Sequence, residues 1–267
     1  MDKPIIDDEL CQRIEPLLPL PKARREKYPG RKPVPDCAVL NDIVFVLRTG
    51  LRWRDLPTEM GCRSGVTCWR RLRDWQEAGV WDRLHQVLLA ELRAAGQIDL
   101  SRVVVDSSWG GPKTGPNAVD RARPCSKHHV ATDANGVPLS IILTGANRHD
   151  VKQLLPLIDA IPAIRGIRGR PLKKPQVVFA DRGYDSEAHR QKLRDRGIKP
   201  VLARRRTEHG SGLGKYRWVV ERTHAWFHNF HRLRIRYERL AKIHEAFLKF
   251  AACLICWNTL QRSISAF

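Results

Sequence analysis

Carboxylates are the scarce residues of this chain. Only 28 Asp plus Glu stand against 48 Lys plus Arg, a formal charge of +20 over 267 residues. A deficit of that size bears on partners rather than fold, and the commonest polyanion in a cell is nucleic acid. A ribosomal-type or membrane-surface protein carries a similar balance. Long apolar runs are missing too. FAACLICW, at 250–257, falls far short of the ~18 residues that a membrane span needs, so no membrane is expected. The seven cysteines (Cys11, Cys37, Cys62, Cys68, Cys125, Cys253 and Cys256) are odd in number and scattered. With no signal peptide visible, they predict a reducing cytoplasm and no disulfide framework. Cys253 and Cys256 form a C-x-x-C that lacks a second pair at zinc spacing, and they read as the buried core of a helix.

Residues 1–97 read as helical. A basic loop rich in Pro, Lys and Arg at 21–35 precedes DCAVLNDIVFVLRTG, whose apolar residues at 39, 40, 43, 44 and 47 share one helical face. Gly50 fits its C-cap, and Ser64 fits the N-cap of GVTCWRRLRDWQEAG. That second helix carries Arg70, Arg71 and Arg73, and a third follows at 81–95. Three short helices of this kind fit a helix-turn-helix module; a basic surface on an ordinary bundle fits them as well.

From residue 98 to 267 the texture is α/β. RVVVDSS reads as a strand, and HHVATDANGVPLSIILTG as two strands joined by an Asn-Gly turn. Helix, strand (VVFAD), helix, strand (IKPVLA) and helix follow, which predicts a mixed sheet. No internal repeat is visible.

Two of the scarce acids stand where apolar runs end, Asp106 after VVV and Asp181 after VVFA. On adjacent central strands they would lie together at strand carboxyl ends, where ligands of open α/β sheets collect. Paired carboxylates disfavour each other's ionisation, and hard divalent cations remove that penalty. Ordinary turn aspartates would give the same pattern. A third acid, Glu221, lies in a helical segment with Val219, Thr223, Trp226 and Phe230 on one face. Arg217, Glu221, His224, His228 and His231 repeat the same spacing on the opposite face. A solvated salt-bridge stripe is the plain alternative.

These three stretches, VVVDSS, ADRGYDS and YRWVVERTHAWFHNFHRLRIRYER, resemble the insertion-sequence DDE transposases, and above all the bacterial insertion-sequence-five family. KHHVATDANGVPLSIILTGANRHD and the N-terminal GRKPVPDCAVLNDIVFVLRTGLRWRDLP extend the resemblance over roughly residues 30 to 260. It implies a ribonuclease H-like catalytic domain behind a small helical DNA-binding domain. The metal-binding catalytic triad becomes Asp106, Asp181 and Glu221, and Arg217 falls on the family's tyrosine, arginine, glutamate, lysine signature. Gly214 stands at the tyrosine position and His228 at the lysine position.

The resemblance further implies two Mg²⁺ (or Mn²⁺) ions, 3′-end cleavage and strand transfer, and no covalent intermediate. Ser107 and Ser108 are then turn residues. Asp185 is expected in a loop or capping role, as is Asp150, whose pair with His149 is read either near the site or as a structural pair. The implied partners are double-stranded transposon-end and target DNA, with a homodimer or larger synaptic assembly in the bacterial cytoplasm at the nucleoid. Arg70, Arg71, Arg73, Arg204, Arg205, Arg206, Arg217, His224 and His228 are the expected DNA contacts, with the basic loop at 165–174. A catalytically silent DNA-binding regulator and a Mg²⁺-dependent structure-specific nuclease are the competing functions.

Overall fold

The computed structural model describes residues 6–20, 26–28, 32–112, 126–206 and 214–265. Most of the basic loop at 21–35, together with Cys125, lies outside them. Four helices lead the chain: α1 (Asp8–Ile14), α2 (Asp36–Thr49), α3 (Gly65–Glu77) and α4 (Val80–Ala94). Gly50 ends α2 at φ +74°, a conformation only glycine adopts cheaply. The Ser64 hydroxyl caps α3 by accepting from the Thr67 amide.

The α/β part follows: β1 (Arg102–Pro112), β2 (Ser126–Thr132), β3 (Pro138–Gly145), α5 (Val151–Asp159), β4 (Val177–Ala180), α6 (Glu187–Asp195) and β5 (Lys199–Leu202). Then come α7 (Gly214–His228), α8 (His231–Arg234), β6 (Ile235–Arg236) and α9 (Ala241–Ser265). The sheet order is β3-β2-β1-β4-β5. β2 and β3 run antiparallel to their neighbours, whereas β4 and β5 run parallel to β1, giving a mixed, ribonuclease H-like sheet.

Alternation along β1 divides its side chains between two environments. Val103 and Val105 enter the main core, while Val104 joins Phe179 and Val220 of α7 in a small second cluster. A connection near residue 97 separates α4 from β1, but the apolar core does not divide there. One cluster runs from Leu40 and Leu84 through Leu139 to Phe247 of α9. Cys253 and Cys256 lie fully buried in it, as expected.

Three expectations need correction. β1 does not stop with RVVVDSS at Ser108 but continues to Pro112, because β2 pairs with it as far as Gly110↔Ser126 and β6 pairs with Gly111 and Pro112. Ser107 and Ser108 are therefore strand residues, not turn residues. The expectation of no disulfide framework has one exception: Cys11 and Cys37 are bonded, their Cα atoms 5.9 Å apart. That pairing depends on α1 lying over the start of α2, which residue spacing cannot show.

Candidate active site

In the parallel pairing of β1 with β4, Val104 lies opposite Phe179 and Val105 opposite Ala180. One further step brings Asp106 level with Asp181, each two residues on from a side chain of the small cluster under α7. The alternation that buries Val104 and Phe179 thus presents both aspartates to α7. Tyr216 of α7 packs on Phe179 with ring centroids 4.8 Å apart.

α7 is fixed in turn by the β2–β3 hairpin. Thr223 Oγ1 donates to the Gly136 carbonyl at 2.7 Å, and Arg222 Nη2 donates to the Asn135 carbonyl. Gly136 has φ +89°, and a Cβ there would meet Arg222 Nη2 at 2.8 Å. The Asn-Gly turn therefore both closes the hairpin and seats the helix that carries Glu221. Arg217 Nη2 lies 3.6 Å from Asp106 Oδ2 and 3.6 Å from Glu221 Oε1, joining the strand acid to the helix acid.

Burial, and to a lesser degree the charges of Asp181 and Glu221, push Asp106 up to about 6, against the lowering effect of the Ser107 amide and Arg217. Asp181 accepts from the Gly183 amide at 2.9 Å, capping the 3-10 turn Arg182–Tyr184. Three hard oxygen donors on a partly buried floor suit a divalent cation such as Mg²⁺. Asp106, held partly towards its neutral form by burial first and by the neighbouring carboxylates second, gains from that charge. Among the described residues the three acids do not close to within 4.8 Å as a set, since the Arg217 guanidinium stands between Asp106 and Glu221.

A second group of side chains supports this floor. Asp150 precedes α5 but makes no side-chain cap. It accepts instead from Ser107 Oγ at 2.9 Å and Lys127 Nζ at 3.1 Å, with His129 Nδ1 at 3.8 Å. Its other oxygen lies 3.5 Å from where a Cβ on Gly183 would stand. Buried Tyr184 feels the charge of Asp150 most, then those of Asp106 and Asp181, and its hydroxyl is pushed up chiefly by burial. Asp150 is thus neither a cap nor a partner of His149; it is the anionic centre of a network one residue behind Asp106. In the sequence, only the ANRHD segment hinted at it. Asp185 does hold a loop role, accepting from Arg190 Nη2 at 2.7 Å and the Arg205 amide at 2.8 Å.

The expected DNA contacts separate by placement. Arg70, Arg204, Arg205 and Arg206 are exposed. The Arg205 guanidinium donates to the carbonyls of Arg182 and Gly183, bracing the turn after Asp181. Arg71 reaches Asp36 at 3.3 Å and Arg73 reaches Asp74 at 2.7 Å. His224 departs from the expected polar face: it is 6% exposed, and burial holds it down at about 4, so it is neutral. The buried face of α7 is Val219, Val220, Thr223, His224 and Phe227, one step round from the anticipated stripe. The helix is covered by the strands on one side and by α9 on the other, which widens its buried arc. His228 is half-buried and lowered by the same cause. In the loop at 165–174, Arg165, Arg168, Arg170, Lys173 and Lys174 are all exposed.

Residues 97–257 match the family "Transposase DDE domain", and residues 6–85 match "Putative transposase of IS4/5 family". The chain is 74% identical over 163 residues to "Putative transposase for insertion sequence element IS402" of Burkholderia cepacia, covering 61% of this chain and 77% of the relative. It is 33% identical over 125 residues to "Transposase for insertion sequence element IS1106" of Neisseria meningitidis serogroup B, covering 43% and 38% of the two. A solved structure, the Mos1 strand transfer complex, aligns over 91% of this chain and 81% of its own, at 11% identity and a TM-score of 0.34. Among the described residues no helix is long and apolar enough to cross a membrane. A DDE domain spanning the mixed sheet and α7, preceded by the family's helical segment, places the chain among the insertion-sequence DDE transposases of the bacterial IS4/5 family, enzymes that act on DNA.

Proposed function

We propose that the protein binds transposon-end DNA and catalyses 3′-end cleavage followed by strand transfer, with Asp106, Asp181 and Glu221 as its catalytic and metal-binding residues. The observation that carries this reading is the β1–β4 register, from whose paired strands Asp106 and Asp181 follow, with Arg217 bridging Asp106 to Glu221 of α7. Two divalent ions, Mg²⁺ or Mn²⁺, held by these carboxylates would supply an activated nucleophile and charge for the leaving oxygen of an in-line displacement. The chain's own residues do the rest. Arg217 orients the Asp106 and Glu221 carboxylates, Asp181 is set by the Gly183 amide, and Arg205 braces the turn that follows it. Arg70, Arg204 and Arg206, with the loop at 165–174, provide the positive track for double-stranded end and target DNA.

The helical part, 1–97, serves end binding and 98–267 the chemistry; a homodimer or larger assembly in the bacterial cytoplasm, at the nucleoid, pairs the two ends. A labelled transposon-end duplex incubated with protein and Mg²⁺ tests this. Nicking at the 3′ end and joining to a target are expected, with both lost in Asp106→Asn, Asp181→Asn and Glu221→Gln. Cutting without joining would indicate a structure-specific nuclease, and binding without cutting a regulator.

A further inference from the structure

Away from the triad, three ligand-type side chains converge inside the N-terminal helices. Asp42 of α2, Cys62 of the turn before α3 and Cys68 of α3 are 1%, 3% and 0% exposed. One ligand atom from each lies within 4.8 Å of the other two, the only such group among the described residues. We propose that Asp42, Cys62 and Cys68 form a structural zinc site that ties α2 to the start of the arginine-bearing helix α3.

The geometry is close to what the ion requires. Zn–S bonds of about 2.3 Å and Zn–O bonds of about 2.0 Å at tetrahedral angles put sulfur and oxygen roughly 3.5 Å apart. Cys68 Sγ lies 3.9 Å from Asp42 Oδ2, so a shift of a few tenths closes it. A fourth donor, an oxygen, is at hand in the Ser64 carbonyl, 3.5 Å from Cys62 Sγ.

Charge supplies the second observation. A buried carboxylate is costly unless paired. Asp42 accepts from the Cys62 amide at 2.9 Å and from the Cys68 thiol at 3.9 Å, and among the described residues no cationic side chain pairs with it. A divalent ion would bind that carboxylate and both sulfurs as thiolates, the thiol protons passing to solvent. The paired sulfurs select zinc over magnesium, so the site is chemically distinct from the carboxylates of β1, β4 and α7. It needs nothing from the transposition chemistry and stands whether or not that reading holds.

The test uses the whole chain, purified under a thiol reductant. Elemental analysis should find one zinc per chain. Replacement by Co²⁺ should give a thiolate-to-cobalt charge-transfer band, and zinc should protect Cys62 and Cys68 from alkylation as mapped by mass spectrometry. Cys62→Ser/Cys68→Ser should lose the metal, while Cys253→Ser/Cys256→Ser keeps it. Should the first variant fail to fold, Asp42→Asn retains both thiols and should weaken Co²⁺ binding at least tenfold. No stoichiometric metal, metal that survives removal of both cysteines, unchanged Co²⁺ binding in Asp42→Asn, or equal alkylation with and without zinc would each overturn the proposal.

Discussion

Ser107 and Lys127 both donate to Asp150 behind Asp106, at 2.9 and 3.1 Å, although 43 positions separate Ser107 from Asp150. A carboxylate so placed acts on its neighbours through orientation and charge. Partners of this kind cost roughly 10–100-fold in metal affinity or activity when removed. Asp150→Ala should therefore slow 3′-end nicking by that order and raise the Mg²⁺ concentration needed for half-maximal rate. Asp150→Asn, which can still accept from Ser107, should lie between the variant and the parent. A Mg²⁺ titration of nicking checks both, and an unchanged half-point in Asp150→Ala would remove Asp150 from the site. The two neighbouring arginines offer a second contrast. Arg205 spends its guanidinium on the carbonyls of Arg182 and Gly183, so Arg205→Ala should lower the cutting rate at saturating DNA. Arg206→Ala should mainly weaken binding.

Where β2 packs on α9, the elements meet through two fully buried imidazoles. His128 Nε2 faces His244 Nε2 at 2.8 Å, an arrangement that needs one ring to donate and the other to accept. Protonating both sets N–H against N–H. Burial first, then the neighbouring charges of Arg236 and Arg232, hold His244 at about 3, and burial and the surrounding histidines hold His128 well below its ordinary 6.5. Below pH about 6.5 the unfolded chain takes up protons that the folded chain refuses, so stability is full above that pH and falls as pH drops towards 3. Each such imidazole contributes a slope of about 1.4 kcal/mol per pH unit in that window. His244→Gln should remove about one proton from the slope of unfolding free energy against pH, measured by denaturant titration between pH 4 and 7; an unchanged slope would refute the account.

This pair also marks how far elements can be read from residues alone. Apolar runs ending at Asp106 and Asp181, the Asn-Gly turn and the period of α7 are local signals, and they located two of the acids on neighbouring strands and the third on a late helix. The full length of β1, the buried side of His224, the Asp150 network and the Cys11–Cys37 bond all depend on which element lies against which. A local period cannot carry that. α7 is the clearest case, because being covered on two sides shifted its buried arc by one position.

For the whole molecule the charge of +20 becomes a quantity that salt can measure. Neutralised phosphates release counterions, and log K for duplex binding falls with log salt at a slope of roughly −0.9 per phosphate contacted. Not every arginine expected on DNA can add to that slope. Arg71 and Arg73 are held by Asp36 and Asp74, whereas Arg70 stands exposed on the same helix. Releasing Arg71 or Arg73 to a phosphate means breaking an existing pair, which returns part of the gain. Arg70→Ala should therefore shallow the slope by about one, measured by fluorescence anisotropy across a salt series, and Arg71→Ala by less. His224→Ala should leave the slope unchanged, because a neutral buried ring releases no counterion. If instead the His224 variant changed the slope as much as Arg70→Ala, α7 would have to turn its buried face outward on DNA, and the seating of Glu221 by the Gly136 turn could not survive binding.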